Sequence, residues 1–284
     1  MNKNAEIKNL VREKYTEIAN QSKEQNLSSC CGATGCCGDD VYHLMADDYS
    51  RLEGYNPDAD LGLGCGLPTE HAHIKEGDTV IDLGSGAGND AFVARRLVGE
   101  KGRVIGVDFT DSMVDKARKN AEKLGLANVE FRLGDIEDMP LTSSFADVIV
   151  SNCVLNLVPN KHKVFSEIYR VLKPGAHFSI SDIVLEGDLP TQWKEVAELY
   201  AGCVSGAIQK SEYLGIIREA GFDHITIQKD KTIHIPDEIL AGYFTAEEIA
   251  GYRNSRTRIT SITVYAEKPA KDARQCCEPG SSCC

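Results

Sequence analysis

Cysteine is the residue type in this sequence with the most distinctive chemistry, because a thiolate binds soft ions and can be oxidised reversibly. The chain has 284 residues and eleven cysteines. One cluster, SSCCGATGCC at 28–37, contains Cys30, Cys31, Cys36 and Cys37, and a second, CCEPGSSCC, ends the chain. The remaining three, Cys65, Cys153 and Cys203, are far apart in the sequence. A reducing cytosol, where we expect this chain, disfavours permanent disulfides and favours metal binding, catalysis or redox cycling, and the odd count fits this interpretation.

The terminal cluster CCEPGSSCC allows two interpretations. Glycine and serine surround its cysteines without periodicity, which is typical of an incidental flexible tail. The alternative is a segment that collects soft ions for the central thiols.

A second set of candidate residues surrounds a glycine-rich loop. The segment VIDLGSGAGND contains Asp82, Gly84, Gly86, Gly88 and Asn89 where an apolar strand turns into a helix. Glycines at such a turn let a ligand approach the backbone, and a helix start offers free N–H groups. The glycine pattern alone is a weak signal for a nucleotide site.

Two aspartates strengthen the prediction of a nucleoside site. Asp108 ends an apolar strand in GVDFTDSM, and Asp135 ends the next one in LGDIEDMP. Ligands of open α/β sheets bind beyond the carboxyl ends of the strands. We therefore expect Asp108 to accept the ribose hydroxyls of an adenosyl group, and Asp135 with Ile136 to contact the adenine. The alternative for each aspartate is a helix cap or a turn.

Strand and helix patterns alternate between residues 78 and 185, which predicts an α/β fold with a parallel sheet covered on both faces by helices. An amphipathic helix is expected over 4–20. After residue 186 two helical stretches, TQWKEVAELYAGC and SEYLGIIREAGF, precede two last strand candidates, HITIQK and SITVYAEK. These two strands are expected to form an antiparallel edge of the sheet.

Charge and hydropathy limit the partners. The formal net charge is −12, and no lysine- or arginine-rich run with interleaved aromatics occurs, so nucleic-acid binding is not expected. No apolar run reaches the ~18 residues that a membrane span needs, and no apolar leader is present at the N-terminus. We therefore expect a cytoplasmic protein that binds neither nucleic acid nor membrane.

The motif set VIDLGSGAGND, GVDFTDSM, GDIEDMP and VLKPG, over roughly residues 78–185, resembles the class I S-adenosylmethionine-dependent methyltransferases. This resemblance implies a Rossmann-like sheet of seven strands with a reversed last strand, and S-adenosylmethionine as the methyl donor. The order GSGAG suits that donor better than the GxGxxG of dinucleotide oxidoreductases.

A second resemblance extends to about residue 268. The stretches YNPDADLGLGCG, SNCVLN and AGCVSGA are similar to those of the arsenite methyltransferases. The resemblance implies that Cys153 and Cys203 bind trivalent arsenic, and that Cys65 and one cysteine of the 28–37 cluster complete a redox set. We take Cys65 as the third arsenic ligand, with the 28–37 cysteines as possible additions. Alone, Cys153 would be interpreted as a small buried hydrophobic residue.

The same resemblance carries the methyl-donor contacts over to the residues that match the family's motif, to which we add the residue preceding Cys153. These residues are Asp108, Met113, Ile136, Glu137 and Asn152.

The resemblance divides the chain into four parts. These are an N-terminal helix with cysteine-bearing loops (1–70), an S-adenosylmethionine-binding Rossmann-like domain (71–185), an arsenic-binding α+β extension (186–268) and a cysteine-rich tail (269–284).

The function implied is methyl transfer from S-adenosylmethionine to thiolate-bound As(III) for arsenic detoxification. Arsenite and methylarsenite would be the substrates, and a thiol reductant such as thioredoxin or glutathione would be a partner. An arsenic lone pair carries no proton, so no general base is expected. One alternative is a methyltransferase acting on carbon, nitrogen or oxygen of a small metabolite. The other is a thiol-rich protein that sequesters a metal such as zinc.

Overall fold

The computed structural model describes residues 3–21, 47–188, 206–241 and 244–270. Outside these residues lie the whole 28–37 cluster, Cys203, the helix expected over 191–203 and the C-terminal cysteine cluster. Cys65 and Cys153 lie within the described residues.

A single sheet of seven strands organises the described residues, in the order β3-β2-β1-β4-β5-β7-β6. The strands are β1 (Thr79–Leu83), β2 (Arg103–Asp108), β3 (Val129–Leu133), β4 (Ala146–Asn152), β5 (Leu172–Glu186), β6 (Asp223–Thr232) and β7 (Arg258–Glu267). The first five pair in parallel, while β7 is antiparallel to both β5 and β6. The chain order reverses on either side of β1, which places a crevice at the carboxyl ends of β1 and β4.

Seven helices flank this sheet in the described part of the chain. They are α1 (Lys3–Ala19), α2 (Asn89–Val98), α3 (Asp111–Lys123), α4 (Lys161–Val171), α5 (Lys210–Glu219), α6 (Asp237–Leu240) and α7 (Ala246–Asn254). Apolar residues of α2 and α3 pack with those of β1 and β2 in one buried cluster, and those of α4 and α5 pack with β4 and β5 in another. Helices therefore cover both faces, as the α/β pattern predicts. None of the described helices is long and apolar enough to cross a bilayer.

The two last strands differ strongly in burial. Most of β7 is buried, whereas β6 is exposed or half-buried along its whole length. The sheet therefore ends at β6, and β7 lies inside it. β6 and β7 pair antiparallel at this edge, as expected, and extend the main sheet. Only β7 runs against the other strands, since β6 has the same direction as β5, which agrees with the single reversed last strand that the resemblance implies. One boundary differs from the sequence pattern, which predicts a helix over HKVFSEIYRVLKPG (162–175). In the structure α4 ends at Val171, and β5 begins at once with Leu172.

The segment 47–78 crosses the carboxyl edge of the sheet. It contains two short 3-10 turns, Tyr49–Arg51 and Pro68–His71, and otherwise consists of turns and loops. Its apolar side chains Tyr49 and Leu67 pack against Val93 of α2. This segment brings Cys65 to the end of β4.

Candidate functional site

The glycine loop between β1 and α2 forms the floor of a cleft. Gly84, Gly86 and Gly88 all have positive φ, a region that residues with a side chain rarely adopt. A side-chain carbon added to Gly86 would meet no atom within 4 Å, so the space beside this residue is open. At Gly88, by contrast, such a carbon would overlap the rings of Phe92 and Phe131. Gly86 therefore faces the cleft, and Gly88 lets α2 pack closely.

Asp108, at the end of β2, ties the glycine loop to the start of α3. Its carboxylate accepts the Gly86 N–H at 3.0 Å and the Thr110 N–H at 2.9 Å. Burial raises the pKa of Asp108, while these two N–H donors act in the opposite direction. The carboxylate therefore lines the cleft at a fixed position, with lone pairs remaining for further donors.

The cleft is rich in buried carboxylates. Burial raises the pKa of Asp82 well above its ordinary value, and the nearby carboxylates of Asp90 and Asp108 raise it further. Burial also raises the pKa of Asp90 to about 6, although hydrogen bonds from Tyr49 and Asn152 oppose this effect. Carboxylates that repel one another in a buried cleft favour a cationic ligand. Its positive charge offsets both their mutual repulsion and their loss of hydration.

Asp135 and Glu137 contact the N-terminal helix. Lys8 of α1 lies 2.5 Å from Asp135 and also forms an ion pair with Glu137. The other Glu137 oxygen accepts the Asn160 N–H at 2.9 Å. Asp135 and Ile136 line the cleft, whereas Glu137 is buried behind it.

Cys65 and Cys153 are joined by a disulfide bond with a Cα–Cα distance of 5.9 Å, across 88 residues of sequence. Cys153 follows directly after β4 and lines the cleft, and its φ of 58° turns the chain out of the strand. Cys65 is only 1% exposed. Two of the three predicted central cysteines therefore meet at the carboxyl edge of the sheet.

Asn152 also lies at this edge, and its side chain contacts the loop that carries Cys65. Its amide oxygen accepts the Cys65 N–H at 3.0 Å, and its amide nitrogen donates to the Gly66 carbonyl at 2.8 Å. Tyr49 donates to Asp90 at 2.8 Å beside it. Asn152 is predicted from the sequence to bind the methyl donor. In the structure it lines the cleft and also contacts the loop that carries Cys65.

The cleft brings together most of the sequence-predicted residues. Its lining includes Asp82, Gly84, Gly86, Asn89, Asp108, Met113, Asp135, Ile136, Asn152 and Cys153. Gly88, Glu137 and Cys65 lie behind this lining. Sequence reasoning missed Lys8, Tyr49 and Asp90, which also line it. Only Asp90 carried a signal, since it directly follows Asn89 at the helix start.

The residues of the cleft fit a nucleoside that carries positive charge. Several buried polar atoms have no hydrogen-bond partner among the described residues: Asp82 Oδ2, Ser85 Oγ and Asn89 Oδ1. Buried polar atoms normally have partners, so these atoms indicate a polar ligand. S-adenosylmethionine offers hydroxyl and amino donors together with a sulfonium charge.

Comparisons with known proteins agree with this geometry. Residues 74–221 match a family model described as a methyltransferase domain. The arsenite methyltransferase of Halobacterium salinarum is 39% identical over 94% of this chain and 68% of its own length. The human arsenite methyltransferase is 33% identical over 78% of this chain and 59% of its own length. The crystal structure of an arsenic(III) S-adenosylmethionine methyltransferase from Chlamydomonas reinhardtii is 34% identical, with a TM-score of 0.62, covering 81% of this chain and 73% of that one.

Sheet order, glycine loop and family model together define a methyltransferase of the S-adenosylmethionine-dependent class. The predicted fold class is thereby confirmed. Within that class, the chain belongs to the arsenite methyltransferase family. It spans 68% of the Halobacterium relative and a smaller share, 59%, of the human one.

Proposed function

We propose that this protein transfers methyl groups from S-adenosylmethionine to As(III) held by cysteine thiolates. The observation that carries the proposal is the meeting of Cys65 and Cys153 at the edge of the cofactor cleft. A thiophilic ion selects sulfur ligands over carboxylate or imidazole, and a thiol pair at this edge meets that requirement. Arsenite and methylarsenite are the proposed substrates, and the cytoplasm is the proposed location.

Cys203, the third proposed ligand, lies outside the described residues, but Gly206, which follows it, is anchored against Asn156. Gly206 is so close to Asn156 that an added side-chain carbon would overlap the Asn156 carbonyl oxygen. The Gly206 carbonyl accepts a hydrogen bond from Lys161 at 2.9 Å. Gly206 is three positions after Cys203, and Asn156 is likewise three positions after Cys153. A span of three residues covers at most about 11 Å, so chain connectivity limits the distance of Cys203 from Gly206, and we propose that Cys203 joins the thiol pair when As(III) binds.

The residues of the cleft have distinct proposed roles. Asp108 accepts the ribose hydroxyls, Asp135 and Ile136 contact the adenine, and Asp82 lies near the charged methionine part. Met113 is fully buried and closes one wall. When bound, S-adenosylmethionine supplies an electrophilic methyl group. Cys153 then holds the arsenic, whose lone pair is the nucleophile, at the cleft wall, and this positioning lowers the barrier.

The thiols have a second proposed role, as the source of electrons that return arsenic to the trivalent state. Methyl transfer leaves arsenic oxidised, and the trivalent state returns when arsenic accepts two electrons from two cysteine thiols. The thiols release two protons and form a disulfide, as Cys65 and Cys153 have done here. A reductant such as thioredoxin or glutathione then reopens the bond by thiol–disulfide exchange.

The test is a methylation assay with labelled S-adenosylmethionine, As(III) and a thiol reductant. Cys65→Ser, Cys153→Ser and Cys203→Ser should each lower the rate by roughly two orders of magnitude, because the arsenic is no longer positioned. Circular dichroism and thermal unfolding show whether each variant is folded. A folded Cys153→Ser enzyme with the wild-type rate would refute the proposal. Methylation of a small metabolite by all three variants would favour the carbon, nitrogen or oxygen methyltransferase instead.

A further inference from the structure

The amide side chain of Asn152 binds the backbone of the loop that carries Cys65. Its oxygen accepts the Cys65 N–H, and its nitrogen donates to the carbonyl of the next residue, Gly66. Asn152 also directly precedes Cys153 in the sequence. The side chain that precedes Cys153 therefore binds both the N–H of Cys65 and the carbonyl that follows Cys65.

Neighbouring groups fix the orientation of this amide. The nitrogen of Asn152 also donates to the Tyr49 hydroxyl and lies 3.3 Å from a carboxylate oxygen of Asp90. The Tyr49 hydroxyl in turn donates to Asp90. Tyr49 and Asp90 are buried, and Asp90 lies in the first turn of α2, where the helix dipole favours a negative charge. Only the orientation with the nitrogen toward Asp90 satisfies these partners.

The loop fits closely around Cys65. A side-chain carbon added to Gly64 would overlap the Asn152 amide, and one added to Gly66 would overlap Ser181. The Cys65 carbonyl accepts a hydrogen bond from Ser261 at 2.6 Å. Glycine at position 64 thus permits the close approach of Asn152, and glycine at position 66 permits that of Ser181.

We propose that Asn152 is a positioning residue that holds the Cys65 sulfur beside the Cys153 sulfur when the disulfide is open. The inference rests on the proposed function only in taking these two thiols as the working pair. Disulfide formation covalently joins segments 88 residues apart, and reduction removes that link. The two hydrogen bonds of Asn152 to the loop involve backbone atoms and not the S–S bond, so we expect them to remain after reduction.

The amide oxygen of Asn152 can also accept a hydrogen bond from the Cys65 thiol when the disulfide is reduced. It lies 3.8 Å from the Cys65 sulfur, within the range of a hydrogen bond that involves sulfur. Once the disulfide is opened, the Cys65 thiol can donate its proton to this oxygen. The reduced sulfur thus has an acceptor in place on the residue that precedes Cys153, which favours a single position for it.

The effective concentration of the two thiols measures this positioning. Reduction of the bond by two glutathione molecules yields two protein thiols and one glutathione disulfide, so electrons and protons balance. The equilibrium is read at Cys65 and Cys153 by isotopic alkylation and peptide mass spectrometry, on the full chain without arsenic or S-adenosylmethionine. Loss of positioning lowers the effective concentration and shifts the equilibrium toward the dithiol.

We expect Asn152→Ala and Asn152→Asp to lower the effective concentration by about tenfold or more, since each frees the loop. The aspartate variant loses both amide donors and places a second carboxylate beside Asp90. Asn128→Ala is the matched control, because Asn128 binds the Gly99 and Gly102 carbonyls through its amide, far from the thiols. A merely structural role would change thermal stability in the Asn152 and Asn128 variants but leave the thiol equilibrium unchanged.

Folded Asn152 variants with the wild-type thiol equilibrium would overturn the proposal. If neither Asn152 variant folds, Tyr49→Phe decides, because it removes the hydroxyl that orients the amide and keeps the ring. Its effective concentration should then fall by a smaller factor, and an unchanged value would overturn the proposal. Because arsenic is absent from this measurement, failure of the positioning role is distinguishable from failure of arsenite methylation, which the labelled-donor assay reports.

Discussion

The ammonium group of Lys8 lies 2.5 Å from a carboxylate oxygen of Asp135, although 127 residues separate them in the sequence. Lys8 also pairs with Glu137, and Arg12 of the same helix lies over the ring of Phe109. The N-terminal helix is therefore attached to the cleft beside Asp135, the carboxylate proposed to contact the adenine, and it places a positive charge there.

Replacing this positive charge should strengthen donor binding. Lys8→Met frees Asp135 and Glu137 and leaves the cleft more negative, so S-adenosylmethionine should bind roughly two- to fivefold more tightly at low salt. Lys14→Met is the matched control, since Lys14 is exposed on the same helix. Calorimetric titration at low and high salt measures the effect, and weaker binding by Lys8→Met alone would contradict it.

Donor binding should release protons below about pH 7. Burial raises the pKa of Asp82 and brings that of Asp90 to about 6, and a bound sulfonium charge favours the ionised carboxylates. Protonated carboxylates must therefore ionise on binding, and affinity should rise with pH between about 5 and 7. Calorimetry in two buffers of different ionisation enthalpy measures the proton release. The demethylated product lacks the sulfonium charge and should show a weaker dependence. An affinity that falls as pH rises would be inconsistent with this role.

The stability of the fold should depend on pH through Asp182. This carboxyl is fully buried, accepts a hydrogen bond from Tyr213, and has its pKa raised by burial to about 7. In the unfolded chain the pKa is about 4, so between about pH 4 and 7 the folded state binds more protons and loses stability as pH rises. Asp182→Asn should remove this slope.

Chemical denaturation at pH 5 and pH 8 measures the effect. The difference in free energy of unfolding between Asp182→Asn and wild type should increase by a few kcal/mol from pH 5 to pH 8 in favour of the variant, because each pKa unit corresponds to about 1.4 kcal/mol. The exposed Asp223→Asn is the control. Equal pH dependence in wild type and Asp182→Asn would show that Asp182 is not protonated in the folded state.

Loss of the contact between Gly206 and Asn156 should weaken the binding of As(III) more than the binding of S-adenosylmethionine. Gly206→Ala forces the backbone away from the Asn156 carbonyl, which should displace Cys203 and weaken As(III) binding by about tenfold or more. Gly215→Ala, in α5, is the control, because its added carbon meets open space and a helical alanine stabilises by about 0.5–1 kcal/mol. Titration with As(III) and with S-adenosylmethionine separates the two effects. Unchanged As(III) affinity in a folded Gly206→Ala would argue against Cys203 as a ligand.

Periodicity was sufficient to predict the parallel half of the fold. β1, β2 and β4 are short apolar runs, and a parallel sheet places their carboxyl ends at one edge, so Asp82, Asp108 and Asn152 had to lie near one another. The position of β7 between β5 and β6 was not predicted, because alternation identifies a strand and does not identify its neighbours. The more apolar sequence of β7 did carry a hint of its central position.

Contacts made by segments outside the sheet were harder to predict than the sheet itself. Lys8 and Tyr49 reach the cleft through tertiary packing of segments without a motif, so nothing local marked them. The three central cysteines were expected together, and the structure joins Cys65 to Cys153 by a bond. A pairing between segments 88 residues apart depends on how the 47–78 segment crosses the sheet edge, which spacing alone does not determine.

Cys153 faces the cleft, while Cys65 lies behind it. An incoming thiolate must attack one sulfur of the disulfide, and of the two cysteines only Cys153 lines the cleft, so we expect the attack to come from the cleft side. We therefore expect spent donor to depart before the enzyme is re-reduced. Demethylated nucleoside and reductant would then compete for one entrance, so that excess donor slows turnover even when reductant is plentiful.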